Sequence, residues 1–199
     1  MRRNRLKERL ARGDVALGTL VWDTRTRGAI FTLAAAGMDF VVICMEHSTY
    51  SLETVAELVS YAHAAGITPV VRVPSIDAAS VTRLLDCGCQ SLIAPRVESA
   101  EEVARLIRLA KYHPEGERGA AIQAYANTDY EDVEPAAAMR HANDNTLLGV
   151  IVERRGAVEQ LDAILAHPLE LVIVGKQDLA QSYGVPGQWT PALSEISAR

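Results

Sequence analysis

The 199-residue chain is 49% hydrophobic and 23% charged, a balance that excludes a mainly disordered protein and favours one folded domain across residues 1–199. Aromatics make up only 5%, so the core has to be built from Ala, Val, Leu and Ile, as in parallel strands covered by helices. The formal net charge is −5, and the one basic cluster (Arg2, Arg3, Arg5, Lys7, Arg9, Arg12) alternates with Leu6 and Leu10 at helical spacing; it reads as a solvated helix face, with no nucleic-acid partner expected.

The predicted elements alternate regularly. A short helix spans Arg3 to Ala11 and stops at Gly13, and Val15 to Val21 reads as the first strand. A helix over Thr26 to Ala36 ends at Gly37, a residue suited to a left-handed cap. Phe40-Val-Val-Ile-Cys44 is an unbroken apolar run of strand length, the pattern of a strand buried on both faces. Ser51-Leu-Glu-Thr-Val opens a helix that runs to Ala65 before Gly66. Thr68 to Val73 is the third strand, Ala78 to Leu85 a helix, and Ser91 to Ala94 the fourth strand. Ser99-Ala-Glu-Glu introduces an amphipathic helix that reaches Tyr112. From His113 to Glu134 the pattern is irregular. Leu147 to Val152 then forms the fifth strand, Gly156 to Ala166 a helix, and Leu171 to Val174 the sixth strand.

Strands alternating with helices imply right-handed βαβ units and a parallel sheet. The glycine fingerprint of a dinucleotide-binding open sheet is missing after the first strand. Polar residues follow most strands: Asp23, Glu46 and His47, Arg72, Arg96, Glu153 and Asp178. A closed barrel brings every strand end to one rim, so the expected α/β fold is a TIM-type (β/α)₈ barrel. Such a barrel has eight units over roughly 250 residues, and about six are legible here. The barrel therefore reads as shortened at its C-terminal end, with a homo-oligomer partner covering the open sheet edge.

No run approaches the roughly 20 apolar residues that cross a bilayer, and the charged N-terminus shows no secretory signal. The three cysteines, Cys44, Cys87 and Cys89, lack metal-knuckle spacing and read as reduced, buried thiols. A cytoplasmic protein without membrane association is expected.

Two carboxylates carry the strongest chemical signal. Glu153 follows Val150-Ile-Val152 and Asp178 follows Val172-Ile-Val-Gly175, at the ends of consecutive strands that would lie about 4.8 Å apart. Like charges at matching heights repel unless a cation lies between them. Two oxygen ligands with places left for water and substrate suit Mg²⁺ or Mn²⁺, with Co²⁺ a further candidate. The alternative pairs Glu153 with Arg154 or Arg155 and leaves Asp178 capping a turn. Arg72 ends an apolar run and needs an anionic partner: a metal-bound 2-oxo acid, or else Asp86 or Glu46. His47, beyond the second strand, is the natural proton carrier near neutral pH. His63, His113, His141 and His167 fall on helices or loops and read as structural or exposed.

At these residues the sequence resembles a known family. Gly37-Met-Asp-Phe-Val-Val-Ile-Cys-Met-Glu-His47 is similar to the G-x-D…E-H segment of class II pyruvate aldolases of the HpcH/HpaI (hydroxy-oxo-heptanedioate aldolase) type. So are Pro69-Val-Val-Arg-Val-Pro74, Leu84-Leu-Asp-Cys-Gly88, Pro114-Glu-Gly-Glu-Arg-Gly119 and Val174-Gly-Lys-Gln-Asp-Leu179, in family order from Gly18 to Gly184. The resemblance implies a (β/α)₈ barrel with a divalent metal held by Glu153 and Asp178 at its C-terminal rim. It implies that Arg72 contacts the ketone oxygen and stabilises the enolate, and that His47 and Asp86 form a dyad that handles the proton. The backbone around Gly175, Gln177 and Asp178 would receive the substrate carboxylate.

The implied reaction cleaves or forms 4-hydroxy-2-oxo acids through a pyruvate enolate, with a 2-oxo acid and an aldehyde as partners. An oxaloacetate-type decarboxylase or an enolate-coupling biosynthetic enzyme would use the same residues; a non-catalytic 2-oxo-acid-binding subunit would keep the pocket without turnover. The sequence departs from the family at Cys44, where an aspartate is common, at Lys176-Gln177, which replace Pro-Ala, and at Ile151, where some members carry glutamine. Lys176 also raises a Schiff-base mechanism, but between Gly175 and Gln177 it reads as an exposed residue of a polar turn, not a desolvated amine.

Overall fold

Six short aliphatic runs form the centre of the molecule: β1 (Gly18–Val21), β2 (Phe40–Cys44), β3 (Thr68–Arg72), β4 (Ser91–Ala94), β5 (Leu147–Val152) and β6 (Leu171–Val174). The computed structural model describes residues 1–122 and 125–198. All neighbouring strands pair in parallel, in the order β1-β2-β3-β4-β5-β6. An order without reversal has no switch in winding direction, which excludes the doubly wound alternative. The six strands form a half-barrel. β1 starts at Gly18 rather than Val15, because Val15 and Leu17 lie exposed outside the ladder.

Successive strand side chains face opposite sides, and here both sides are apolar. Val41, Ile43, Val71, Leu92 and Val150 pack outward against Val55 and Leu58 of α3 (Leu52–Ala65), Leu84 of α4 (Ala78–Asp86) and Leu106 of α5 (Ala100–Ala110). Val42, Val70, Ile93, Leu147 and Ile151 face inward and meet Leu6 of α1 (Arg5–Ala11). Leu6 is buried, a contribution of about 1.5–3 kcal/mol. Asn4 fixes this helix: its Oδ1 accepts from Lys7 N at 3.1 Å, and its Nδ2 donates to Ser91 Oγ at 2.9 Å and Asn145 O at 3.0 Å. Helix α1 therefore stops the N-terminal end of the half-barrel, and the opposite end is left for a ligand.

The helices between strands begin and end where local chemistry dictates. Ser51 accepts from Thr54 N at 3.2 Å to open α3, and Gly66 ends it at φ 80°, a left-handed conformation that favours glycine. Asp77 caps α4, accepting from Ser80 N at 2.9 Å. The Ser75 and Ser80 hydroxyls, with that N–H, hold its carboxyl down at about 2, against an ordinary 3.8. A depressed carboxylate stabilises the fold above its unfolded value and loses that contribution as pH falls through the folded one. Asp77→Ala is therefore expected to cost about 1 kcal/mol at neutral pH. In urea titrations the gap from the unsubstituted protein should narrow as pH drops from 3.8 toward 2.

The later part of the chain holds helices absent from the sequence reading. α6 (Pro135–Asn145) occupies the stretch after the irregular section; Glu134 caps it by accepting from Ala136 N and Ala137 N at 2.8 and 2.7 Å, and proline opens it. The expected helix over 156–166 is two, α7 (Arg155–Glu159) and α8 (Leu161–Leu165), broken where Gln160 leaves helical geometry and accepts from Ala100 N. α9 (Lys176–Ser182) and α10 (Pro191–Ser197) follow β6. On β6 itself Val172 and Ile173, which point to opposite faces, stay 42% and 37% exposed, so this edge strand is uncovered on both sides. Cys44 and Cys89 are buried and Cys87 is half-buried. Among the described residues no helix is long and apolar enough to cross a membrane.

Candidate active site

Parallel pairing in register carries the polar residues that follow the strands to one end of the sheet. Cys44 pairs with Arg72 across β2 and β3, so Glu46, two residues past β2, comes alongside the Arg72 guanidinium. Glu46 Oε2 pairs with Arg72 Nη2, which also lies 3.6 Å from Glu153 Oε1. Glu153 directly follows β5 and is only 2% exposed. Arg96, two residues past β4, donates its backbone N–H to Glu153 Oε1 at 2.7 Å, while its Nε meets Glu46 Oε1 at 3.0 Å. Its backbone takes φ 52°, a left-handed conformation that costs a non-glycine residue about 1–2 kcal/mol. That conformation accompanies an N–H aimed at a buried carboxylate.

Burial pushes the Glu153 carboxyl above its ordinary range. The Arg96 N–H and the Arg72 guanidinium oppose that rise, while the negative charges of Glu46 and Asp178 add to it. Asp178, in the first turn of α9, is half-buried and close enough to act on Glu153. Gly175, between β6 and α9, makes room for Glu153: a Cβ there would clash with Glu153 Oε2 and stand 2.6 Å from Glu153 Cβ and 3.1 Å from Ile151 Cγ2. The Gly175 backbone stays at φ −83°, so space and not conformation requires the glycine.

His47, Arg72, Glu153, Gly175, Gln177 and Asp178 line one cleft of about 320 Å³, with Leu20, Val42, Ile93, Ile151 and Ile173 as its apolar walls. Six of the seven residues that the sequence points to thus line one cleft. Asp86 does not. Helix α4 runs back toward the N-terminal ends of the strands, and Asp86 is its last residue. There it accepts from Arg118 Nη2 at 2.7 Å and Asn127 Nδ2 at 3.3 Å and lines a separate cleft with His63 and Tyr130. Within the chain the His47–Asp86 dyad is therefore not assembled; the carboxylate beside His47 is Glu46, 3.7 Å from its Nε2.

The competing ion-pair expectations resolve in part. Arg72 pairs with Glu46, one of its two alternative partners, while Glu153 engages Arg96 and Arg72, and Arg155 pairs with Glu159 at 2.8 Å. Lys176 starts a helix and is not in a turn; it is exposed, with its ammonium 5.0 Å from the Trp189 ring centroid. His63 and His141 bond backbone carbonyl groups, at Gly88 and Arg2, as structural histidines do. From sequence alone, Glu46 is a pairing alternative for Arg72 and Arg96 one of several strand-end polar residues. Their position directly after strands was the available signal.

Among the described residues no three His, Cys, Asp or Glu side chains cluster as a ready-made metal cage. The donor set fits a different mode. The Asp178 carboxylate, near the next strand end, opposes the ionisation of Glu153, and Glu153 Oε2 lies against the open side of Gly175. A hard cation that takes one or two carboxylates, with water and substrate oxygens completing its shell, fits this arrangement.

Comparison with known proteins is consistent across sequence and structure. The family model for HpcH/HpaI aldolase/citrate lyase matches residues 24–196. A hydroxypyruvate/pyruvate aldolase from Roseovarius nubinhibens is 35% identical over 190 residues, 95% of this chain and 73% of that protein. A 2-keto-3-deoxy-L-rhamnonate aldolase from Escherichia coli O9:H4 (strain HS) is 30% identical, across 92% of this chain and 68% of its own length. The crystal structure of an HpcH/HpaI aldolase from Desulfitobacterium hafniense DCB-2 superimposes with a TM-score of 0.91 at 35% identity, covering 97% of this chain and 74% of that one.

Proposed function

The chain belongs to the HpcH/HpaI aldolase/citrate lyase family and is a carbon–carbon lyase, and on that footing we propose a divalent-cation-dependent aldolase that cleaves or forms 4-hydroxy-2-oxo acids through a pyruvate enolate. The observation that carries this reading is the meeting of Glu153, Asp178 and Arg72 in one cleft at the C-terminal ends of the strands. Glu153 and Asp178 would hold Mg²⁺, Mn²⁺ or Co²⁺, which when bound supplies Lewis-acid polarisation of a keto acid.

The chain's own groups do the rest. Arg72 donates to the ketone oxygen, where negative charge grows as the carbon–carbon bond breaks; a donor fixed there beforehand favours the charged transition state. Its Nε is buried without a hydrogen-bond partner among the described residues, so the guanidinium is not saturated by the protein. The N–H groups of Gln177 and Asp178, in a first turn that no side chain caps, orient the substrate carboxylate. The aliphatic walls around Ile151 and Ile173 limit water at the reacting carbon. His47, its side chain 59% exposed at the mouth, holds the exchanging proton at Nε2 and passes it between the enolate carbon and solvent.

A Schiff base at Lys176 would need a desolvated amine, whereas this one is exposed. Residues 1–199 are read as one barrel-type unit, and self-association is part of the same reading, supported by the bare apolar edge of β6. Pyruvate α-proton exchange into deuterated water tests the reaction. Exchange should require Mg²⁺ or Mn²⁺, fall at least about a hundredfold in EDTA and return with added Mn²⁺. Exchange that is indifferent to the chelator, or trapping of Lys176 by borohydride with pyruvate, would overturn the metal mechanism.

A further inference from the structure

We propose that Glu46 and Arg96 are positioning residues that set the orientation of Arg72 and Glu153, an assignment that rests on the aldolase reading above. Four successive strand ends each contribute one residue to a closed circuit. Glu46 Oε2 meets Arg72 Nη2, and Arg72 Nη2 lies 3.6 Å from Glu153 Oε1. Glu153 Oε1 accepts from Arg96 N at 2.7 Å, and Arg96 Nε returns to Glu46 Oε1 at 3.0 Å. Glu46 and Glu153 are buried and Arg72 nearly so, while the Arg96 side chain is half exposed.

The circuit has a direction. Its ion pairs engage both oxygens of Glu46, of which Oε2 accepts no hydrogen bond among the described residues, and its one hydrogen bond engages Glu153 Oε1, leaving Glu153 Oε2 beside Gly175, on the cleft. A planar guanidinium tied to a carboxylate that is itself tied to a second guanidinium has little freedom to rotate. Arg72 is thus presented in one plane, and Glu153 is turned so that its unengaged oxygen faces the ligand. Loosening the circuit misplaces a donor that matters most when charge develops, so the loss belongs in kcat. The pyruvate carboxylate, held at the start of α9, keeps KM nearly constant.

Arg96→Gly isolates the side-chain arm, because glycine accepts the left-handed backbone and keeps the N–H to Glu153. In the pyruvate exchange assay it should lower kcat about tenfold, with KM within about twofold. Glu46→Gln should do at least as much, and in an Arg72→Lys background should add no further factor, because it acts through Arg72. Unchanged kcat in a folded Arg96→Gly protein, or a Glu46→Gln loss that multiplies in full with Arg72→Lys, would overturn the assignment; should Glu46→Gln not fold, Arg96→Gly decides alone. Wild-type exchange with unaffected variants sinks this assignment only, whereas no wild-type exchange sinks the aldolase reading and this assignment with it.

Discussion

Replacing Arg72 with alanine is expected to lower metal-dependent pyruvate exchange by about a hundredfold to a thousandfold, the range found when a donor to a developing oxyanion is deleted. The geometry says why the loss should be large. The guanidinium is the group of the cleft that is both buried and placed between two carboxylates, Glu46 and Glu153. Deleting it removes the proposed donor to the ketone oxygen and also one of the two influences that restrain the rise of the Glu153 carboxyl. A Glu153 that takes up a proton more readily is a poorer cation ligand. Stability should fall too, by about 3–5 kcal/mol, since breaking a buried ion pair strands its partner. Circular dichroism below the new melting point separates that cost from the catalytic one. Arg72→Lys restores the charge but not the planar fork, so it should regain stability and stay at least about tenfold slow. Exchange by Arg72→Ala within about threefold of the unsubstituted protein would remove this arginine from the chemistry.

Gly175→Ala should be nearly as damaging, for a purely steric reason. The added methyl group would clash with Glu153 Oε2 and stand 2.6 Å from Glu153 Cβ. Glu153 is buried and its other oxygen is held by Arg96 N, so it can yield only by swinging Oε2 out of its present position, which in the proposed site displaces a cation ligand. A displacement on the scale of an ångström costs about a hundredfold in rate. Overpacking adds about 1–3 kcal/mol of lost stability. The Gly175 backbone, at φ −83° and ψ 85°, admits alanine without strain, so the backbone itself should tolerate the change. Gly28→Ala, where an added Cβ meets nothing within 4 Å, is the control and should leave exchange intact. Equal activity in the two variants would show that the Glu153 carboxylate need not lie where the structure places it.

The sheet was legible in the sequence because each of its strands is a short aliphatic run between turn residues, and a run buried on both faces has no polar alternation to blur it. Phe40–Cys44 and Leu147–Val152 are found at their expected bounds. Helix α6 has a sequence signal of its own: Glu134 and Pro135 ahead of three alanines make a capped helix start. The break at Gln160 was not readable, since it depends on a side chain reaching Ala100 N from another helix. Most of the candidate site follows from one rule, that parallel strands deliver the residues just after them to a common rim. Asp86 lies apart from that rim within the chain, because the last residue of a helix that leads into a strand belongs at the opposite end. The Glu46–Arg96 contact was illegible for a different reason. It depends on Arg96 adopting φ 52°, and nothing in Pro95-Arg96-Val97 announces a left-handed arginine.

Cation binding can be watched apart from turnover by titrating Mn²⁺ into the chain and following the electron paramagnetic resonance of the free ion, with Glu153→Gln and Asp178→Asn alongside. If the carboxylates of 153 and 178 share one ion, the unsubstituted chain takes up a single Mn²⁺ and each variant binds it at least about tenfold more weakly, a loss no smaller than that from disturbing an outer-sphere partner. Retention of full Mn²⁺ affinity by both variants would contradict the account at its centre.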